Sequence, residues 1–80
     1  MSAVASLQAI KARIDGGAYA PLWLMIAQLP QVERRPVIDA LHPLIGGKTI
    51  FDWSYRGRLE TRPSDEVRAV VERAIAETER

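Results

Sequence analysis

Glycine and proline set the outer limit on what this chain can become. Gly16-Gly17, Pro21, Pro30, Pro36, Pro43, Gly46-Gly47, Gly57 and Pro63 divide it into pieces, most too brief for more than a few helical turns. Proline lacks the amide hydrogen that a helix interior needs, and glycine readily takes the left-handed backbone that ends a helix. Short helices are weak alone, so each piece must bury its apolar side against the others.

Hydrophobic spacing assigns the pieces. Val4, Leu7, Ile10 and Ile14 recur at helical intervals, predicting a first helix over Ala3–Ile14 that Gly16-Gly17 ends. Pro21 suits a first helical position and opens Pro21–Leu29, where Leu22, Trp23, Leu24, Met25 and Ile26 are apolar nearly all round. Such a helix belongs in a core or in a subunit interface. Pro30 stops it, Gln31–Arg35 reads as a polar first turn or connector, and Pro36 opens a helix over Val37–Ile45. Pro43 predicts a kink or an early stop at His42. Ser64 is the expected N-cap of a final helix, with Asp65 and Glu66 in its first turn and Val67, Val70, Val71, Ala74 and Ile75 as its apolar stripe. The expected fold is all-α: one five-helix domain over residues 1–80, without a confident strand.

Composition removes several function classes. A chain of 80 residues buries only about 60–65% of its unfolded surface, so it needs good packing or a partner copy. With no cysteine and one histidine it has neither a disulfide framework nor a structural zinc set, and no nucleophile–base pair stands out. The start lacks a signal-peptide pattern, and the longest apolar run, Tyr19–Ala27, is less than half a membrane span. The expected setting is the cytoplasm, with no membrane partner, no metal and no cofactor. Net charge is +1, yet Gly46–Pro63 carries +2 against −1 for the remainder, a local basic bias.

That basic stretch holds the most informative residues. Read as a helix, Gly46–Leu59 puts Ile50 and Trp53 on one side and leaves Lys48, Thr49, Asp52, Tyr55 and Arg56 on others. Read as a strand, Phe51, Trp53 and Tyr55 alternate with Asp52 and Ser54, and Arg56-Gly57 turns a hairpin back through Leu59 and Thr61. Trp53 is core in either reading, and Phe51 either meets a partner or fills the interior.

In the helical reading, Leu44–Leu59 resembles the turn and recognition helix of small helix-turn-helix regulators of phage or plasmid type, Cro-like and excisionase-like proteins. Thr49, Ile50, Phe51, Trp53, Gly57, Arg58 and Leu59 match that pattern, and Ala40 matches the small residue of the preceding helix. The motif covers about residues 36–59, and the short Glu60–Pro63 connection favours the wingless, Cro-like form. The resemblance implies a homodimeric transcriptional repressor that reads double-stranded DNA in the major groove and is not an enzyme. It places Gly47, Lys48 and Thr49 at the end facing bases and phosphates, Phe51, Asp52, Tyr55 and Arg56 along the groove, and Arg58 and Arg62 on the duplex backbone. The Pro21–Leu29 helix or the final helix would be the dimer face. The alternative is a small mobile-element protein that binds and inhibits a host or defence protein complex, with Phe51, Tyr55, Arg56 and Arg58 as its hot spot.

Overall fold

The two ends of the chain make the base of the fold, because only there do apolar residues keep helical spacing over several turns. The structure, a computed structural model, describes residues 3–80. Helix α1 (Ala3–Asp15) buries Leu7, Ile10 and Ile14, and helix α5 (Ser64–Thr78) buries Val67, Val71 and Ala74 against it. Helix α3 (Gln31–Leu41) packs on both through Val37 and Leu41. Helix α2 (Leu22–Ala27) closes the core with Leu22, Met25 and Ile26, so its apolar surface is largely spent inside the subunit. Each fully buried aliphatic side chain contributes about 1.5–3 kcal/mol.

Proline starts three of these helices. Pro21, Pro30 and Pro63 precede α2, α3 and α5 with φ of −50, −52 and −57° and ψ of 142, 142 and 144°. The ring fixes φ, and its missing amide hydrogen costs nothing where the helix has no acceptor for one. Three expectations are corrected by this. Pro21 stands before its helix instead of inside it, Ser64 is the first helical residue and not the cap, and Pro30 begins α3. Helix α3 therefore opens at Gln31, leaving Pro36 within it on the solvent side, where water can meet the carbonyl that lacks a donor. The helix gives way at His42 as expected, to a 3-10 turn over His42–Leu44 that accommodates Pro43.

Gly46 and Gly47, at φ +66 and +82°, turn the chain through two left-handed residues that side chains disfavour. The segment beyond this turn is not one helix. Helix α4 is a single turn, Ile50–Trp53, capped by the Thr49 hydroxyl, which accepts from the Asp52 amide at 3.1 Å. The chain then forms strands β1 (Tyr55–Arg56) and β2 (Glu60–Thr61), antiparallel, with Tyr55 opposite Thr61 and Arg56 opposite Glu60. The fold is thus mostly helical, with five helices and a small two-stranded sheet among the described residues. The all-α expectation is corrected at this point, where the chain follows the alternative strand reading beyond Ser54, and the hairpin stands where the wingless form was expected.

Buried Ser54 explains where α4 stops. Its hydroxyl donates to the Ile50 carbonyl (2.7 Å) and accepts from the Trp23 amide (3.0 Å), while its own carbonyl accepts from the Arg62 amide (3.0 Å). The side chain of this one residue joins α2 to α4, and its backbone carbonyl holds the far end of the hairpin. Among the described residues no helix is long and apolar enough to cross a membrane.

Candidate functional site

The residues expected to share one recognition helix divide between a turn, a one-turn helix and a hairpin. Gly47 and Lys48 are exposed in the turn, Thr49 caps α4, and Phe51 and Asp52 are exposed on it. Tyr55 and Arg56 form β1, and Arg58 is exposed at the hairpin tip beside Gly57, whose φ is +54°. A four-residue helix is about 6 Å long, too short to follow a major groove of about 12 Å width with several side chains.

Arg62 is engaged inside the fold. Its guanidinium lies 4.4 Å from the centre of the Trp53 ring, and its side chain is only 14% exposed. Nε donates to the Trp53 carbonyl (2.6 Å), Nη1 to Glu66 (2.9 Å) and Nη2 to the Tyr55 carbonyl (3.5 Å). The Tyr19 hydroxyl in turn donates to the Arg62 carbonyl. Burial raises that phenol above its ordinary range, so it remains a donor. Lys48 and Arg58 keep their ammonium and guanidinium groups outside the fold, and Arg56 shares Glu66 at 3.4 Å.

Three rings meet where the sequence suggested two aromatics. Phe51 is 48% exposed and lies 5.3 Å from both Trp23 and Tyr55, tilted at 55° and 60°. The Tyr55 hydroxyl accepts from Trp23 Nε1 at 2.9 Å, which fixes both rings. Trp23 arrives from α2, so no local pattern could have announced it. Trp53, by contrast, lies in the core as expected.

A second surface, which the sequence did not suggest, lies along α3. Gln31, Val32, Arg35, Pro36 and Asp39 are all exposed and follow one face of the helix. Val32 is 71% exposed, one of only three large apolar side chains so placed among the described residues. Arg35, 83% exposed, pairs with Asp39 at 3.0 Å, and an open groove alongside is lined by Ile38, His42 and Pro43. Such an exposed ion pair exchanges readily for a ligand. The face is held firmly from behind. Arg34, half-buried, donates to the Ala27 carbonyl (2.7 Å) and the Leu29 carbonyl (3.1 Å), fixing the end of α2 against α3. The Ser6 hydroxyl donates to Glu33 at 2.6 Å, tying α3 to α1. The sequence signal for this surface was the i, i+1, i+4, i+5, i+8 spacing of Gln31, Val32, Arg35, Pro36 and Asp39, obscured by reading Pro36 as a helix start.

Among the described residues no cluster of histidine, cysteine, aspartate or glutamate could hold a metal ion. No known protein family, curated protein or solved structure matches the chain.

Proposed function

We propose that the protein is a sequence-specific double-stranded DNA-binding regulator, a repressor acting as a homodimer, in which α2, residues 28–30 and α3 form the helix-turn-helix. The groove-reading helix is then α3 and not the Gly46–Leu59 segment. The observation that carries this reading is the outer stripe of α3. It combines an amide, a guanidinium, a carboxylate and two apolar groups on a helix of 11 residues, about 16 Å long. Those groups match base edges in kind: Gln31 an adenine, Arg35 a guanine, Asp39 a cytosine amino group, and Val32 a thymine methyl. A solvent-facing valine near a helix start has no purpose in the core, and a methyl contact gives it one. Lys48 and Arg58 supply phosphate contacts that position without discriminating. One helix reads few base pairs, and a second copy on the next major-groove face, about ten base pairs away, supplies the missing specificity.

Selection of bound sequences from a random duplex pool tests this. The expected result is one pseudo-palindromic site, bound with a steep salt dependence. Arg35→Ala should weaken that site by about 5- to 150-fold without changing thermal stability, the loss of one bidentate base contact. Lys48→Ala should weaken all duplexes alike. Absence of any preferred sequence ends the DNA reading.

One observation favours a second reading, an interaction protein that inhibits a host or defence complex. The exposed Phe51, braced by Trp23 and Tyr55 with Arg56 nearby, has the rigid aromatic and arginine make-up of a protein hot spot. Loss of inhibition in Phe51→Ala, with duplex binding absent in the parent, would select it.

A further inference from the structure

The outer stripe of α3 runs one residue past Asp39, to His42. The His42 amide donates to the Ile38 carbonyl, and its φ of −52° and ψ of −44° are helical. Only at Pro43, which has no amide hydrogen, does that ladder stop. His42 follows Gln31 by eleven residues and Arg35 by seven, which places it about 20° from each around the helix axis. It therefore stands in line with both, about 10 Å beyond Arg35. The imidazole is exposed and makes no hydrogen bond or ion pair within the fold. It borders the open groove with Arg35, Ile38, Asp39 and Pro43. The charged groups of that lining are Arg35 and Asp39, which hold each other at 3.0 Å, and the helices packed behind α3 contribute nothing to it.

A straight helix lying in a curving groove meets a wall of phosphates at its far end. With Gln31 at base edges, His42 lies about 16 Å further along, more than the groove's width of about 12 Å. The last carbonyls of a helix carry partial negative charge, which repels phosphate, so a backbone contact there needs a donor or a cation. Between Leu41 and Lys48 the one side chain that offers either is His42. We infer that His42 ends the reading face as a phosphate contact, donating a ring N–H to the duplex backbone and adding a positive charge when protonated. The inference rests on the proposed duplex-binding function and deepens it: α3 is anchored at its own C-terminal end, and the strength of the anchor follows pH. Imidazole is the side chain whose charge ordinarily changes between about pH 5 and 8, and the chain has one histidine. The neutral ring keeps one N–H donor, whereas the imidazolium also releases a counterion on binding.

The test follows binding of the full chain to a fluorescent duplex of about 20 base pairs taken from the selected pool. Affinity is measured over a range of salt at about pH 5.5 and again at about pH 8. The parent should bind about two- to tenfold more tightly at the lower pH. Its slope of log affinity against log salt should also be steeper there by about 0.9, one phosphate contact. His42→Gln keeps a donor without a titrating charge, so it should lose both differences while melting as the parent does. His42→Lys should keep the steeper slope at both pH values. Neither variant should change the selected sequence, since a phosphate contact positions without discriminating. A parent whose affinity and slope ignore pH, or a His42→Gln variant that responds to pH as the parent does, overturns the contact and leaves the duplex reading standing. A parent that binds no duplex overturns both.

Discussion

Arg62 and Arg58 stand four residues apart with the same side chain and opposite situations, and their difference fixes what each can do. Arg62 spends its guanidinium on Trp53, Tyr55 and Glu66, whereas Arg58 projects into solvent. Removing Arg62 strands the Trp53 carbonyl and strips the ring of its cation. Arg62→Ala should therefore destabilise the fold by about 2–4 kcal/mol, read from urea or thermal unfolding. Arg58→Ala should stay within about 0.5 kcal/mol of the parent. The sequence offered both residues as phosphate contacts because charge is visible in a sequence and partners are not. Those of Arg62 lie nine residues back and four ahead, and they converge only after the hairpin has turned.

At the scale of elements, α1 and α5 were legible because their apolar stripes run unbroken through several turns. The boundaries of α3 were not. Proline at a helix start and proline inside a helix look alike in a sequence, and Pro30 and Pro36 are both present. The interior Pro36 removes one backbone hydrogen bond and crowds the preceding turn. Pro36→Ala should accordingly stabilise the protein by about 1–3 kcal/mol, measured as a shift in the denaturant midpoint. Stability is then being given up on the face proposed to read DNA. The Gly46–Leu59 stretch was ambiguous for a different reason: it contains both a helical turn and a strand. The pairing of Ile50 with Trp53 and the alternation reaching Tyr55 each describe part of it. A Thr-x-x-Asp capping pattern at Thr49 and Asp52 would have placed the start of α4, and the Arg56-Gly57 turn anticipated the hairpin.

For the whole molecule, the radius of gyration of 11.5 Å equals the value of about 11.6 Å expected for a single folded chain of this length. A chain this short needs good packing or a partner copy, and here packing suffices, since only Val32, Phe51 and Leu59 are large, apolar and exposed among the described residues. The case for a second copy now rests on the reading of DNA alone. Ion pairs supplement the apolar contact of the two long helices where α1 ends and α5 begins. Asp15 accepts from Lys11 and from Arg68, each at 2.7 Å, and Arg68 also reaches Asp65 at 3.2 Å. The hydrogen bond from Lys11, then that from Arg68, holds the Asp15 carboxyl below its ordinary range. A depressed carboxylate stabilises the fold above its unfolded value of about 3.9 and ceases to do so as pH falls through the lower folded value. Melting temperatures taken from pH 7 down to pH 2 should therefore fall less steeply at the acid end in Asp15→Asn than in the parent, from a lower starting point at pH 7. The doubly pinned base of the hairpin has a further consequence. Because Ser54, Tyr55 and Arg62 fix the chain on either side, the exposed residues beyond the Tyr55–Thr61 pair are a cassette. Their length and chemistry can be exchanged while the helices beneath keep their places, which makes this small protein a scaffold for grafted loops.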